Sequence, residues 1–177
     1  KDVQWSEQGM NSSFKFIQKL WILSQKIMEE IHSDHSENNE NDLEKQTNQF
    51  VANVQRNIEN FSYNKIIANF YEIYSVLNKV VKIKIKRKIW IENFSKILIT
   101  MTPVIPHFTN ECLEKLNKDE KNKAIYWPDV NENILIQDTI NFVVQINGKK
   151  REILQIDRDL DEDKIMGEIN LSKNLEK

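Results

Sequence analysis

Glycine and proline are scarce in this chain, three of each in 177 residues, and there is a single cysteine. Barrels, sandwiches and glycine-rich nucleotide folds require many more turn residues, so the chain is expected to be mainly helical. With glycine only at positions 9, 148 and 167, neither a G-x-x-x-x-G-K-S/T loop nor a G-x-G-x-x-G turn can be written. The lone Cys112 excludes an internal disulfide framework and fits a reducing, cytoplasmic compartment. No apolar run approaches the ~18 residues of a membrane span. The opening Lys1-Asp2-Val3-Gln4-Trp5-Ser6 follows neither a signal-peptide nor a transit-peptide plan. It lacks an initiating methionine, and the last residues, Asn174-Leu175-Glu176-Lys177, follow an apparent helix where a small sheet would need another strand. Both ends suggest a piece of a longer protein.

What is present is a globular composition, 40% hydrophobic and 29% charged. A net charge of −2 conceals blocks. Glu29, Glu30, Asp34, Glu37, Glu40, Asp42 and Glu44 meet no lysine or arginine, whereas Lys79, Lys82, Lys84, Lys86, Arg87 and Lys88 meet no acid. A third block, Asp157 to Asp163, is acidic again. Such blocks create local fields that the total hides, although each is also what a solvated loop or helix end looks like.

Five helices are expected from three- and four-residue spacing of apolar side chains. The first buries Phe14, Ile17, Leu20, Trp21, Ser24, Ile27, Met28 and Ile31, with Asn11, Ser12 and Ser13 as cap residues. After a polar loop, the second starts near Asp42 and turns Leu43, Phe50, Val51, Val54, Ile58 and Phe61 inward. The third, from Ser62 or Asn64, buries Ile66, Ile67, Phe70, Ile73, Tyr74 and Leu77. The fourth carries Ile89, Trp90, Phe94, Ile97, Leu98 and Met101, and the fifth opens at Pro106 with Phe108, Cys112, Leu113 and Leu116 inside. Lys82-Ile83-Lys84-Ile85-Lys86 alternates with strand period and is read as the connector between the third and fourth. After Trp127-Pro128-Asp129 the period changes to two: Ile140, Phe142, Val144 and Ile146 form one strand, and Ile153 with Leu154 or Ile156 marks a second. Asn147-Gly148 between them is a strong hairpin signal. An acidic helix start (Asp161, Glu162, Asp163) then leads into Ile165, Met166 and Ile169. The fold class is therefore mainly α, an antiparallel helical bundle followed by a small, incomplete α+β module with a β-hairpin. The divisions are 1–124 for the bundle, 125–138 for a linker and 139–177 for the partial module.

Catalytic and metal motifs are weak. His32 and His35 beside Asp34 and Glu37 lack a fourth strong ligand at usual spacing, and Glu29-x-x-His32 is half of a di-iron pattern with no second half. No metal is assigned. His107 lacks a paired nucleophile and reads as structural, Cys112 as a small core residue, and Trp21 and Trp90 as core. The cation-rich connector at Lys79–Lys88 and the hairpin residues Gln145, Asn147, Lys149, Lys150 and Arg151 stand apart. Several cations and amides on short turns neutralise phosphates and position a polynucleotide without reading its sequence.

An ordered series of motifs covers nearly all of the chain: Asp2-Val3-Gln4-Trp5-Ser6-Glu7-Gln8-Gly9, Phe61-Ser62-Tyr63-Asn64-Lys65-Ile66-Ile67, Thr102-Pro103-Val104-Ile105-Pro106-His107 with Glu111-Cys112-Leu113, Trp127-Pro128, and Val143-Val144-Gln145-Ile146-Asn147-Gly148-Lys149-Lys150-Arg151. Together they resemble the C-terminal region of bacterial-type leucyl-tRNA synthetases. The Pro-His and Trp-Pro elements recur in the valyl and isoleucyl enzymes, and the hairpin points to the leucine enzyme. In one departure, Glu152 stands where the family usually has glycine.

The resemblance implies a class Ia helical anticodon-binding domain, roughly Ser6–Leu116, and part of a C-terminal domain. The parent enzyme would be a class I leucine-tRNA ligase that uses ATP and magnesium and edits mischarged tRNA. Its catalytic and editing domains would lie upstream, so this piece has no catalytic residues, no cofactor of its own and no activity. The signatures of the His-Ile-Gly-His and Lys-Met-Ser-Lys-Ser types are absent. The implied partners are tRNA(Leu) and the upstream catalytic domain, in a monomer. Members of this type generally do not depend on reading anticodon bases, so backbone contacts are expected. Lys84, Lys86, Arg87 and Lys88 are the bundle residues for them. Lys149, Lys150, Arg151 and Asn147 serve on the hairpin, and Arg56 and Lys65 on the bundle surface. The competing reading is a helical protein-interaction module whose Glu29–Glu44 face docks a basic partner.

Overall fold

The computed structural model describes residues 6–33, 40–116, 125–135, 139–146, 149–157 and 161–171. The chain divides into two compact units, Lys1–Asn131 and Glu132–Lys177.

The first unit is a helical bundle of α1 (Glu7–His32), α2 (Glu40–Glu59), α3 (Tyr63–Val80), α4 (Arg87–Met101) and α5 (Pro106–Leu116). Helix α4 packs against α1, α2 and α5, and α2 packs against α3. Trp90, Phe94, Ile97, Leu98 and Met101 of α4 are buried, and around them stand Leu20, Leu23 and Ile27 of α1, Phe50 and Val54 of α2, Phe70, Ile73 and Leu77 of α3, and Cys112 and Leu113 of α5. Each fully buried aliphatic side chain contributes about 1.5–3 kcal/mol of apolar burial, and the five amphipathic stripes supply this cooperatively.

Helix α1 begins earlier than its expected caps. Ser6 is the N-cap, its Oγ accepting from the Gly9 N–H at 3.1 Å, while Ser12 Oγ donates back to the Gln8 carbonyl inside the helix. Its buried stripe is also rotated: Phe16 and Leu23 are inside, whereas Phe14 is 62% exposed and Trp21 37% exposed. The helix carries two overlapping apolar stripes, and the bundle covers the one through Phe16, Leu20, Leu23 and Ile27. Trp21 instead meets the Phe108 ring edge-on at 6.3 Å and carries Lys115 Nζ 4.4 Å from its centroid.

The corner between α2 and α3 is tight. The Ser62 N–H bonds the Asn57 carbonyl at 2.8 Å and the Phe61 N–H the Ile58 carbonyl at 3.0 Å, a Schellman ending. Its left-handed position, usually glycine, holds Phe61 at φ 52°. That conformation costs a non-glycine residue roughly 1–2 kcal/mol. Phe61 therefore lies past the helix end and points to solvent rather than into the core, and Ile67, one position off the buried face of α3, is also exposed. Across the corner Asn57 Nδ2 donates to Asn69 Oδ1 at 2.8 Å, and Asn69 Nδ2 donates to Glu72 Oε2 at 3.0 Å.

Residues 125–131 lie along α2. Trp127 Nε1 donates to Gln55 Oε1 at 3.3 Å, the Asn131 N–H donates to Asn48 Oδ1 at 2.8 Å, and Pro128 is buried.

The second unit holds a short helix α6 (Glu132–Leu135), β1 (Thr139–Ile146), β2 (Lys149–Asp157) and α7 (Glu162–Leu171). The strands pair antiparallel from Thr139↔Asp157 to Ile146↔Lys149. Val144 and Ile156 are buried and Val143 and Ile153 exposed, so Leu154 and Ile156 lie on the face opposite Ile153. The turn residues Asn147 and Gly148 lie outside the described residues. Asp161 Oδ1 accepts from the Lys164 N–H at 3.0 Å and opens α7. Among the described residues no helix is long and apolar enough to cross a membrane.

Candidate nucleic-acid interface

The cationic connector is built by one buried isoleucine. After α3 ends, the N–H groups of Val81, Lys82 and Ile83 close on the carbonyls of Leu77, Lys79 and Val80, and the chain then runs extended into α4. Ile85 is 1% exposed and anchors this segment in the core. Its neighbours are consequently turned outward: Lys82, Lys84, Arg87 and Lys88 are exposed and Lys86 is half-buried at the N-cap of α4. Ile83, the other apolar residue of the expected strand-period alternation, is 43% exposed, so Ile85 alone supplies the apolar inside of a connector whose outside is cationic.

Helix electrostatics explain only half of this block. Lys79 sits in the last turn of α3, where a cation favours the helix dipole. Arg87 and Lys88 sit in the first turn of α4, which has no acidic residue and no side-chain cap. There the dipole opposes them. Lys88 reaches Glu92 at 3.8 Å, but both side chains are largely exposed, so the pair contributes little. Nothing in the folding of α4 calls for cations at this end, whereas an anion would be held by them together with the helix N–H groups.

Lys65 is exposed in the first turn of α3, roughly 25 Å from the connector at 1.5 Å per residue, and Arg56 is exposed in the last turn of α2. They do not join the connector cluster. At that end lies an apolar groove of about 850 Å³ lined by Ile58, Tyr63, Ile66, Ile67, Val104 and Trp127, with neither cation among its lining residues. Sequence reasoning did not anticipate this groove. The signal available was the aromatic Phe61 where a helix-ending turn calls for glycine or asparagine.

In the second unit Lys150 and Arg151 are exposed on β2. The register jumps between Val144↔Glu152 and Gln145↔Lys150, a bulge that leaves Arg151 without an opposite residue. Bulges re-aim side chains, and this one falls beside Glu152. The side chain of Lys149, like Asn147, lies outside the described residues.

His107 is exposed at the start of α5, and Cys112 is buried in the core, where desolvation pushes its thiol above the ordinary value of 9.0. Among the described residues no three His, Cys, Asp or Glu side chains gather as a metal site; His35 lies outside them.

Comparison with known proteins places this geometry. Two curated relatives are leucine-tRNA ligases. That of Petrotoga mobilis is 29% identical over 178 residues, and that of Parvibaculum lavamentivorans 27% identical over 172. Each match covers 93% of this chain, which spans only about a fifth of either relative (21% and 20%). The fold is shared with the agnB2 LeuRS of Agrobacterium radiobacter, solved as a ternary complex with tRNA and LeuAMS. The TM-score is 0.75 at 19% identity, covering 96% of this chain and 23% of that one. The family model described as the anticodon-binding domain of tRNA ligase matches residues 40–166, from the start of α2 into α7. The chain therefore belongs to the anticodon-binding domain family of tRNA ligases.

Proposed function

We propose that this chain is the tRNA-binding and tRNA-positioning region of a leucine-tRNA ligase. In the full-length enzyme, other domains would join leucine to tRNA(Leu) with ATP and edit mischarged products. The observation that carries the reading is the connector: Ile85 buried, Lys84, Arg87 and Lys88 exposed, and two of the cations placed against the dipole of the helix they begin. A polyanion resolves that unfavourable arrangement. The family and the two curated relatives supply its identity as tRNA.

The mechanism is positional. Lys84, Lys86, Arg87 and Lys88 neutralise backbone phosphates on one side of the RNA. Lys150 and Arg151, with Lys149 and Asn147 beside them in sequence, do so from the hairpin of the second unit. Neither group reads base edges, so sequence contributes little to these contacts. Fixing the body of the tRNA limits where its acceptor end can reach, which turns an encounter with a neighbouring active centre into an oriented one.

Filter-binding titration of the chain against a tRNA(Leu) transcript tests this. With about four phosphates neutralised, log affinity falls against log salt with a slope of roughly −3 to −4. Replacing Lys84, Arg87 and Lys88 together by glutamine makes the slope shallower by about 2–3. A flat response in the unmodified chain would remove the proposal.

A further inference from the structure

The register of the hairpin sorts its cations by face. Successive residues of a strand point to opposite sides of the ribbon. On β1 the buried Val144 marks one side, and the exposed Val143 and Gln145 mark the other. On β2 the buried Ile156 shares the first side with the half-buried Leu154 and Glu152, which leaves Ile153 and Arg151 with the exposed set. Uninterrupted alternation would carry Lys150 back to the buried side. The pairing instead passes from Val144↔Glu152 to Gln145↔Lys150, with Arg151 left over. Directly paired residues share a side, so Lys150 stands with Gln145 on the outward one. The bulge thus puts two consecutive cations on one face, and both are exposed.

Folding does not account for this placement. Two adjacent cations on one face repel each other, and among the described residues neither Lys150 nor Arg151 has an ion-pair partner. The bulge also leaves one residue unpaired in a two-stranded ribbon, which has little stability to spare. Charge argues for the occupant. None of the outward side chains described on the two strands (Val143, Gln145, Lys150, Arg151 and Ile153) is acidic. A polyanion laid on this face turns the repulsion into attraction. Gln145, directly opposite Lys150, adds an amide donor suited to a phosphate oxygen or a ribose hydroxyl.

We propose that the bulge assembles Lys150, Arg151 and Gln145 into a single RNA-backbone contact face, with Gln145 as its uncharged hydrogen-bonding member. This inference rests on the tRNA-binding reading and adds the face by which the hairpin engages the RNA.

The test uses the whole chain and a tRNA(Leu) transcript, with filter binding across a salt series. Lys150→Gln and Arg151→Gln are each expected to make the slope of log affinity against log salt shallower by about 0.7–0.9. Gln145→Ala is expected to weaken binding about threefold at an unchanged slope, because it removes a hydrogen bond but no charge. The decisive variant inserts one serine between Val144 and Gln145. It gives Arg151 an opposite residue, removes the bulge and turns Gln145 and Lys150 to the other side with every charge retained. Its slope should match that of Lys150→Gln. Lys164→Gln, on α7 of the same unit, is the control and should leave the slope unchanged. If the insertion binds like the unmodified chain, the bulge does not set the contact and the inference fails. Should the insertion unfold the hairpin, the single variants decide alone, and each must lower the slope. If they change nothing while the triple connector variant weakens binding, the hairpin face is wrong and the tRNA reading stands; an acidic protein as occupant would give that same result. If Lys164→Gln lowers the slope as much, the attraction is diffuse and the face is not a site. If the unmodified chain does not bind the transcript, both readings fall.

Discussion

Cys112 shows how burial alone sets the chemistry of a residue. Its thiol lies in the bundle core, and desolvation is the main cause that raises its pKa; a hydrogen bond with Ser24 and the charge of Lys115 act weakly the other way. A folded-state pKa above the unfolded one means that the neutral thiol stabilises the fold fully below the ordinary value of 9.0, and that this contribution is lost as pH rises toward the folded value. The native chain is therefore expected to react slowly with iodoacetamide at pH 8. Its melting temperature should fall between pH 8 and 10 more steeply than that of Cys112→Ala, a difference read by circular dichroism at matched pH. Cys112 was legible in sequence because it stands in phase with Leu113 and Leu116 on one short helix. Trp21 and Phe14 were not. Both fit a three-four spacing on α1, and only the packing of α3, α4 and α5 decides which of two overlapping stripes is covered.

At the scale of elements, the joints between helices carry as much specification as their apolar faces. The Asn57–Asn69–Glu72 chain ties α2 to α3 beside the strained corner, with Asn69 buried. Asn69→Ala strands a half-buried donor on Asn57, which costs about 1–3 kcal/mol. A drop of roughly 2–4 °C in melting temperature is expected for each kcal/mol of destabilisation at this chain length. The Asn57→Ala, Asn69→Ala double variant should cost less than the sum of the singles, because the two share one bond. The connector behaves similarly. Ile85→Ala removes its deeply buried anchor and is expected to cost about 2–5 kcal/mol, while blurring the placement of Lys84 and Arg87 and so lowering RNA affinity. The change to period two after Trp127 was readable directly, whereas the alternation Lys82 to Lys86 holds only at Ile85, since Ile83 is exposed. The bulge at Arg151 and the Schellman corner were not, because each depends on a backbone conformation that no side-chain periodicity reports. The candidate site was accordingly half legible: its cations are visible as a charge block, whereas the aromatic groove exists only once the α2–α3 corner and residues 125–128 are brought together.

For the whole molecule, the two units differ in how much core each can bury. Residues 1–131 contain nearly all of the buried side chains described, whereas Val144 and Ile156 are the buried apolar residues described in the second unit. A two-stranded hairpin is marginal alone, and a segment of this size has little apolar area to set against chain entropy. A protein ending at Asn131 is thus expected to keep a single cooperative helical melt with its midpoint within a few degrees of the full chain. Residues 132–177 alone should show no cooperative transition. The cations divide in the same way. The shorter protein retains Lys84, Lys86, Arg87 and Lys88 but not Lys149, Lys150 and Arg151. If both groups engage one tRNA, the second unit adds its cations at the high effective concentration set by the chain joining them. Removal should then weaken binding by far more than the isolated second unit's own affinity would suggest. The salt slope should also become shallower by about 0.7–0.9 for each phosphate that is no longer neutralised. Equal slopes for the full and shortened proteins would mean that the hairpin cations never meet the RNA, and would leave the connector as the sole electrostatic attachment.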